Sequence, residues 1–281
     1  VYRATGKAAG DDTLNREIGV VRAKAQVSGE RTPVFKRIAP IGAGVELDAR
    51  RIIKKKKSSE GWVEGSHDGG TFFVRGPGYG EIPSPVKQGS PKDALRVLDA
   101  IFEKMGVPAI RRLMLAVALV NALRPGVPYV VILLVGGAGS GKTTTAGNLA
   151  GFIDPTTSGE LPNVPLNAQD VAAVGGEQHV LGADNISKFE PEASVLLCMA
   201  AIGSEFVVRE FNTRKETARL FVHCQFILTA ITNPVTRGDL LDRLLPITLE
   251  PHTDYKGEDE VRAWFRKVQP VATGALVELL S

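Results

Sequence analysis

The chain has 281 residues, 43% apolar and 23% charged, which excludes a globally disordered polypeptide and leaves room for two domains. Two cysteines, Cys198 and Cys224, cannot make a disulfide framework and read as buried thiols of a reducing compartment; no apolar run is long enough to span a bilayer, so a cytoplasmic protein without a membrane partner is expected. The net charge of +3 is unevenly spread: residues 1–90 hold 16 Lys and Arg against 10 Asp and Glu, while residues 91–281 hold 18 against 21.

Residues 1–86 read as a small β-rich domain, with strands expected at Ile18–Ala25, Val34–Ile38, Val45–Leu47, Gly61–Val63 and Thr71–Arg75 between Gly-, Ser- and Pro-rich turns. Most of the basic excess lies in Arg50–Lys57. Its Lys54, Lys55, Lys56 and Lys57 are candidates for contact with a nucleic-acid backbone; the other reading is a solvated hairpin loop or strand end. Val1 opens the chain without an initiator Met or an apolar leader, so a processed or trimmed fragment is expected.

Residues 87–128 read as a helical linker. Ser90-Pro91-Lys92-Asp93 has a Ser cap, Pro in the first turn and an acid at the third helical position, so a helix is expected to about Met105. A second should run from Pro108 to Leu123, mostly apolar and well buried, with Arg124-Pro125-Gly126 ending it.

Residues 129–254 have an α/β pattern. Tyr129–Val135 does not alternate, as a parallel strand covered on both faces should not. A helix is expected at Lys142–Ile153, a strand ending at Asp184, a helix at Glu190–Ile202 and a hairpin around Phe206–Phe211 and Leu220–Val222. A strand at Gln225–Ile231, a short helix at Asp239–Leu244 and a strand at Pro246–Glu250 follow. Residues 255–281 read as a C-terminal helical segment or truncated lid, with Gly274 a candidate interruption.

The first strand runs into Gly136, Gly137, Ala138, Gly139, Ser140, Gly141, Lys142, Thr143 and Thr144, which contains the pattern G-x-x-x-x-G-K-T. A loop around a phosphate must turn tightly and aim its N–H groups inward. Glycines allow those dihedrals and clear the space, and the following helix adds its positive end. The pattern therefore points to ATP or another nucleoside triphosphate, with Lys142 on the β- and γ-phosphates and the Thr143 hydroxyl on Mg²⁺; Thr144 and Thr145 read as packing or capping residues.

Asp184 ends an apolar strand and is the candidate carboxylate for Mg²⁺. Asn185 stands where a water-polarising Glu is usual; Asn holds a water but cannot take its proton, so Glu177 or Glu205 would have to serve, or hydrolysis is slow. Thr229 lies near the end of the later strand, Thr232 and Asn233 follow it, and one of these could meet the γ-phosphate or its water. Arg243, after a short helix, suits contact with a neighbouring subunit's γ-phosphate, against the alternative of an ion pair with Asp239 or Asp242; Arg237 is a second candidate. Arg209, Arg214 and Lys215 tip the hairpin and are candidates for nucleic acid in a pore, or a solvated turn. His67, His179, His223 and His252 have no zinc spacing.

These motifs, from about Trp62 onward, resemble a family of predicted ATP-binding proteins of phages and prophages, whose cores are similar to AAA+ and superfamily-three primase-helicases. The resemblance is carried by Gly61-Trp62, Phe73-Val74-Arg75, Ile82-Pro83-Ser84-Pro85, Leu123-Arg124-Pro125, Ser140-Gly141-Lys142-Thr143-Thr144 and Asp184-Asn185-Ile186-Ser187. It continues through Leu197–Gly203, Arg209–Thr213, Thr236–Arg243, Trp264-Phe265 and Pro270–Leu276. It implies an α/β P-loop NTPase core of AAA+-like type with a parallel sheet behind a small β-rich domain, and Arg243 as an arginine finger. Asn185 belongs to the family pattern. Thr229 departs from it, since Asn is common there, so Asn233 is a substitute for positioning the water.

The resemblance further implies a homo-oligomer, with a hexameric ring as its candidate form, acting on DNA as a replication helicase or primase-helicase of a phage or mobile element. Two other functions fit the same residues: a nucleotide-gated switch or assembly protein with little hydrolysis, and a small-molecule or nucleotide kinase.

Overall fold

In the computed structural model, the described residues are 33–41, 44–49, 51–55, 62–65, 71–76, 78–209, 217–250 and 257–280, with Gly19, Val20, Lys24, Val27 and Gly29. Phe35–Ser281 forms one compact unit and Val1–Val34 another. In the latter, Gly19, Val20 and Lys24 are helical where a strand was expected. The neighbouring run Ala23-Lys24-Ala25-Gln26 consists of strong helix formers, and its local preference outweighs the short apolar stretch before it.

The larger unit begins with an antiparallel meander of β1 (Ile38–Ile41), β2 (Gly44–Ala49), β3 (Arg51–Lys55) and β4 (Trp62–Gly65), in that spatial order. The basic run is thus partly a strand: Lys54 and Lys55 lie in β3, opposite Val63 and Trp62, while Lys56 and Lys57 fall outside the described residues. Ile38, Leu47 and Trp62 are buried. A two-residue strand β5 (Phe72–Phe73) follows, and Val74 N–H donates to Phe35 O at 2.7 Å.

Two helices come next, α1 (Pro91–Lys104) and α2 (Ala109–Ala122). The Ser90 hydroxyl caps α1 by accepting the Asp93 N–H at 3.2 Å, as its sequence requires. The expectation of a well-buried α2 is overturned. Leu115, Ala116, Ala118, Leu119 and Ala122 face the core, but Ile110 is 81% exposed and Leu113 and Val117 60%. The helix is apolar on two faces, and periodicity cannot say which one meets the core.

The second sheet is parallel, in the order β11 (Leu244–Thr248), β6 (Val131–Val135), β10 (Gln225–Ala230), β7 (Val180–Ala183). The two inner strands, β6 and β10, and the edge strand β7 are almost wholly buried, as their unalternating sequences demand. At the β7 edge, Asn163 adds a single parallel bridge to Gly182. Helix α3 (Lys142–Gly151) follows β6, and α4 (Ala168–Glu177) precedes β7, capped by the Asn167 side chain on Gln169 and Asp170 N–H. Sequence reading missed α4. Helix α5 (Pro191–Ile202) and the hairpin β8 (Ser204–Arg209)–β9 (Thr217–Val222) lie between β7 and β10. Helix α6 (Gly238–Leu241) precedes β11; Leu244, expected to end that helix, instead opens the strand.

Gly274 does not interrupt the last helix: α7 (Glu258–Leu280) is continuous. Gly274 is needed because the linker crosses α7 there. A Cβ would overlap Val86 O and stand 2.7 Å from Val86 C, and Val86 N–H donates to Pro270 O at 2.9 Å. Helices α1, α2 and α7 close one side of the parallel sheet through Leu98, Phe102, Leu115, Leu119 and Leu276. Among the described residues no single helix is long and apolar enough to cross a membrane; α1 and α2 pass such a test only as a pair bent by 119°. The whole is a central parallel sheet flanked by helices behind a β-rich region, the P-loop-like α/β architecture that the sequence pattern implied.

Candidate functional site

The strand order decides what meets the glycine-rich loop. β6 and β7 are not neighbours; β10 lies between them. All run in parallel, so the loop after β6, Asp184 after β7 and Thr229 near the end of β10 share the carboxyl edge of the sheet. That edge is where α/β folds carry their ligands.

The loop is built for close approach. Gly139 and Gly141 have φ of 75° and 76°, the left-handed region open to glycine, and Gly141 caps α3 in that conformation. At Gly136 a Cβ would meet Ser140 Oγ at 2.5 Å. The Gly136 N–H donates to Ala230 O at 3.1 Å, fixing the loop's entry to β10. Lys142 is buried, and its ammonium donates to Gly136 O and Gly137 O, each at 2.8 Å. Ser140 Oγ is buried and has no hydrogen-bond partner among the described residues. Gly137, Ala138, Gly139, Thr143 and Thr144 are exposed, whereas Thr145 is buried in the packing role expected of it.

Across the edge, the Thr143 hydroxyl donates to Asp184 at 3.1 Å (Oδ1) and 3.3 Å (Oδ2). Thr229, 2% exposed, donates its hydroxyl to Asp184 Oδ1 and accepts the Asn185 N–H at 2.7 Å. Its carbonyl accepts the Ile186 N–H at 2.8 Å. Asn185 has φ of 53°, a conformation Asn tolerates better than most side chains. The Asp184 N–H donates to Asn163 Oδ1 at 3.0 Å. Sequence reading did not find Asn163: Leu161-Pro162-Asn163-Val164 has no periodicity, and only the β-bridge to Gly182 brings it to this edge.

Other expected residues are placed differently. The Asn233 side chain accepts the Val235 N–H at 3.0 Å, turning its own loop. Arg237, not Arg243, takes the ion pair with Asp239, at 2.7 Å on the surface. That pairing raises the Arg237 pKa and lowers that of Asp239. Arg243 has no ion pair among the described residues, and its Nε is buried without a hydrogen-bond partner. Glu177 closes α4 just before β7 enters the sheet, and Glu205 is the second residue of β8, opposite Phe221 and paired with Arg219 at 3.5 Å. Both therefore stand towards the edge where strands enter, while Asp184 stands where they leave, so neither can replace Asn185. Arg209 ends β8; Arg214 and Lys215 lie outside the described residues.

His179 is a core residue. Its Nε2 bonds Ala122 O at 2.8 Å, its ring packs edge-on against Tyr129, and burial holds its pKa down to about 4. Cys224 is buried, and burial pushes its thiol up.

Residues 99–281 match the family of actinomycete integrative conjugative element replication proteins. The chain belongs to that family. It is a family of mobile-element replication, the coarse class to which the motifs pointed. No curated protein matches the chain in sequence. Among solved structures, the apo A form of the NrS-1 C-terminal region aligns at 11% identity and TM-score 0.52, over 94% of this chain and 62% of that one. SCCmec type IV Cch, described as an active helicase, aligns at 12% identity and TM-score 0.45, over 98% of this chain and 51% of that one. The chain thus spans less than two thirds of either structure, and the likeness to NrS-1 is one of fold.

Proposed function

We propose that this replication protein is a Mg²⁺-dependent ATPase, the AAA+-like motor core of a helicase or primase-helicase that serves a mobile element. The observation that carries the reading is the meeting of Lys142, Thr143, Asp184 and Thr229 at one sheet edge, with Thr143 Oγ 3.1 Å from the Asp184 carboxylate. The residues fit a phosphate and its metal. Buried Ser140 Oγ lacks a partner among the described residues, and it packs so closely over Gly136 that no Cβ fits there. Among the described residues no cluster of three or more His, Cys, Asp or Glu could hold a metal by itself. That agrees with Mg²⁺, which takes one or two protein oxygens and completes its shell with water and phosphate.

In this reading Lys142 exchanges the carbonyls of Gly136 and Gly137 for the β- and γ-phosphates. The N–H groups of Gly137–Thr143 and the positive end of α3 hold the phosphate charge. Thr143 and Asp184 would hold Mg²⁺, which would offset the negative charge of the phosphates. Thr229 keeps the Asp184 carboxylate turned towards Thr143. Arg243, whose guanidinium lacks an ion pair among the described residues, extends to the γ-phosphate of an adjacent subunit in a homo-oligomeric ring. Arg237 is held by Asp239 and is the weaker candidate. The β8–β9 hairpin, with Arg209, Arg214 and Lys215, faces DNA. The family's replication role supports this assignment, and the likeness to NrS-1 supports its fold.

One observation favours a second reading, a nucleotide-gated switch with little turnover. Asn185 replaces the usual base, and neither Glu177 nor Glu205 reaches the site. A titration of ATPase rate with single-stranded DNA, alongside Lys142→Ala, separates the two. Stimulated turnover lost in Lys142→Ala supports the motor. Slow turnover unchanged by DNA supports the switch, and no hydrolysis by the full-length protein under any DNA condition sinks the motor. For Arg243, mixed oligomers of Arg243→Ala and Lys142→Ala should recover activity; verified mixed oligomers without recovery refute a shared site.

A further inference from the structure

Helix α3 and strand β7 are joined at both ends. At the carboxyl edge, Thr143 at the start of α3 meets Asp184 after β7 at 3.1 Å. At the other end, Asp154 follows α3, with its N–H on Ala150 O at 2.7 Å. Its Oδ2 accepts the N–H groups of His179 at 2.7 Å and Val180 at 2.9 Å, where β7 begins. The helix and strand therefore form two sides of a closed frame, about 18 Å and 13 Å long. The position of Asp154 constrains the separation of Thr143 and Asp184.

Arg37 brings the N-terminal β region onto Asp154, beside backbone bonds that join Gly80 N–H to Pro155 O at 2.8 Å and Thr157 N–H to Gly78 O at 3.1 Å. Arg37, 1% exposed, donates Nε to Asp154 Oδ1 at 2.8 Å, with Nη2 2.6 Å from the same oxygen. Its remaining donors go to Asp48 O at 3.1 Å, Gly80 O at 3.1 Å and Pro155 O at 3.2 Å, and its guanidinium lies 3.9 Å from the Tyr79 ring centroid. The other wall is itself fixed. Tyr79 OH donates to Asp48 O at 2.7 Å, and Arg75 grips the Asp48 carboxylate at 2.6 and 2.9 Å. A buried ion pair often contributes less stability than apolar packing would, so its worth lies in fixing one geometry. Burial pushes the Asp154 carboxyl up, but the Arg37 guanidinium and the Val180 N–H outweigh it and hold the group below the usual carboxylate value.

We propose that Arg37 is a positioning residue: through Asp154 it lets the N-terminal β-sheet set the separation of Thr143 and Asp184, and hence the divalent-cation requirement of the site. The second half of this inference rests on the nucleotide reading above; the first half does not.

The test uses the full chain with Arg37→Met/Asp154→Asn, which removes both charges yet keeps an acceptor for the His179 and Val180 N–H groups, and with Arg37→Lys, which keeps the cation. Hydrogen exchange without nucleotide is read at Asp184, Asn185 and Ile186, whose N–H groups are all bonded at the far end of β7. The double variant should exchange there ~10-fold faster than native protein, and Arg37→Lys within about threefold of it, a tenfold change being about 1.4 kcal/mol. With a non-hydrolysable ATP analogue, its half-saturating Mg²⁺ should rise ~5-fold or more while metal-free affinity holds, the mark of a displaced metal pair and not of a weakened fold. Faster exchange confined to His179 and Val180, with native Mg²⁺ dependence, overturns the proposal. If the double variant does not fold, the same readings on Asp154→Asn decide. If native protein binds no nucleotide analogue, the reading of the site fails, and exchange at Asp184–Ile186 alone decides the coupling.

Discussion

Replacing Thr229 by Val tests the core of the site with little change of shape. The hydroxyl donates to Asp184 Oδ1 and accepts the Asn185 N–H at 2.7 Å; Val keeps the volume and loses both bonds. The first is charge-assisted, worth about 1.5–3 kcal/mol, and losing the second strands a backbone donor beside a left-handed residue, at about 1–3 kcal/mol. The Ile186 N–H to Thr229 O bond survives, and Asp184 is exposed enough for water to replace part of the loss. A destabilisation of about 3 kcal/mol follows, seen as a Tm lower by roughly 6–12 °C for a unit of this size. Thr229→Ser keeps the hydroxyl and gives up one methyl group, at about 1 kcal/mol. Urea titration and thermal melting of the three proteins provide the measurement. If Thr229→Val lies within about 0.5 kcal/mol of native, or Thr229→Ser is equally damaging, the hydroxyl does not hold the Asp184–Asn185 turn and the argument fails.

On the proposed reading, Lys142→Ala should weaken binding of a fluorescent ATP analogue by more than ~10-fold without lowering Tm by more than a few degrees, since it removes a cation held at the loop by only the Gly136 and Gly137 carbonyls. Gly136→Ala should do similar harm by another route: its Cβ would stand 2.5 Å from Ser140 Oγ and displace the loop, so analogue binding falls while far-ultraviolet circular dichroism is retained. Gly274→Ala should destabilise by about 2 kcal/mol or more in chemical denaturation, because the new Cβ strikes the backbone of Val86 and not a movable side chain. His179 titrates near 6.5 when unfolded and at about 4 when folded, because burial disfavours its charge. The unfolded chain thus binds the extra proton between those pH values. Stability is full above pH 6.5 and declines as pH falls towards 4, by on the order of 2–3 kcal/mol. Urea titrations across that window should show a flatter slope for His179→Gln; an unchanged slope refutes the assignment.

Much was local enough to read from the chain. Gly136–Thr143 must be a tight loop between strand and helix, because its glycines, Lys142 and Thr143 have no other economical arrangement after an unalternating apolar run. Ser90 and Asp93 announce α1 by capping chemistry alone. Other errors had equally physical causes. The mostly apolar α2 was expected to be well buried, yet Ile110 and Val117 face outward. Gly274 looked like a helix breaker and is instead the point where Val86 crosses α7.

The sequence by itself determined the phosphate-loop pattern, the parallel character of the strands around it and the prominence of Asp184 and Arg243, because each depends on neighbours within a few residues. Tertiary structure alone decided that β10 separates β6 from β7, putting both Thr143 and Thr229 on the Asp184 carboxylate and leaving Glu177 and Glu205 at the opposite edge. It also brought Asn163 to the Asp184 amide and Arg37 to Asp154, 117 residues away. Such partners share no periodicity or spacing. Strand order and the closure of a buried charge select them, and neither is encoded in any one stretch of chain.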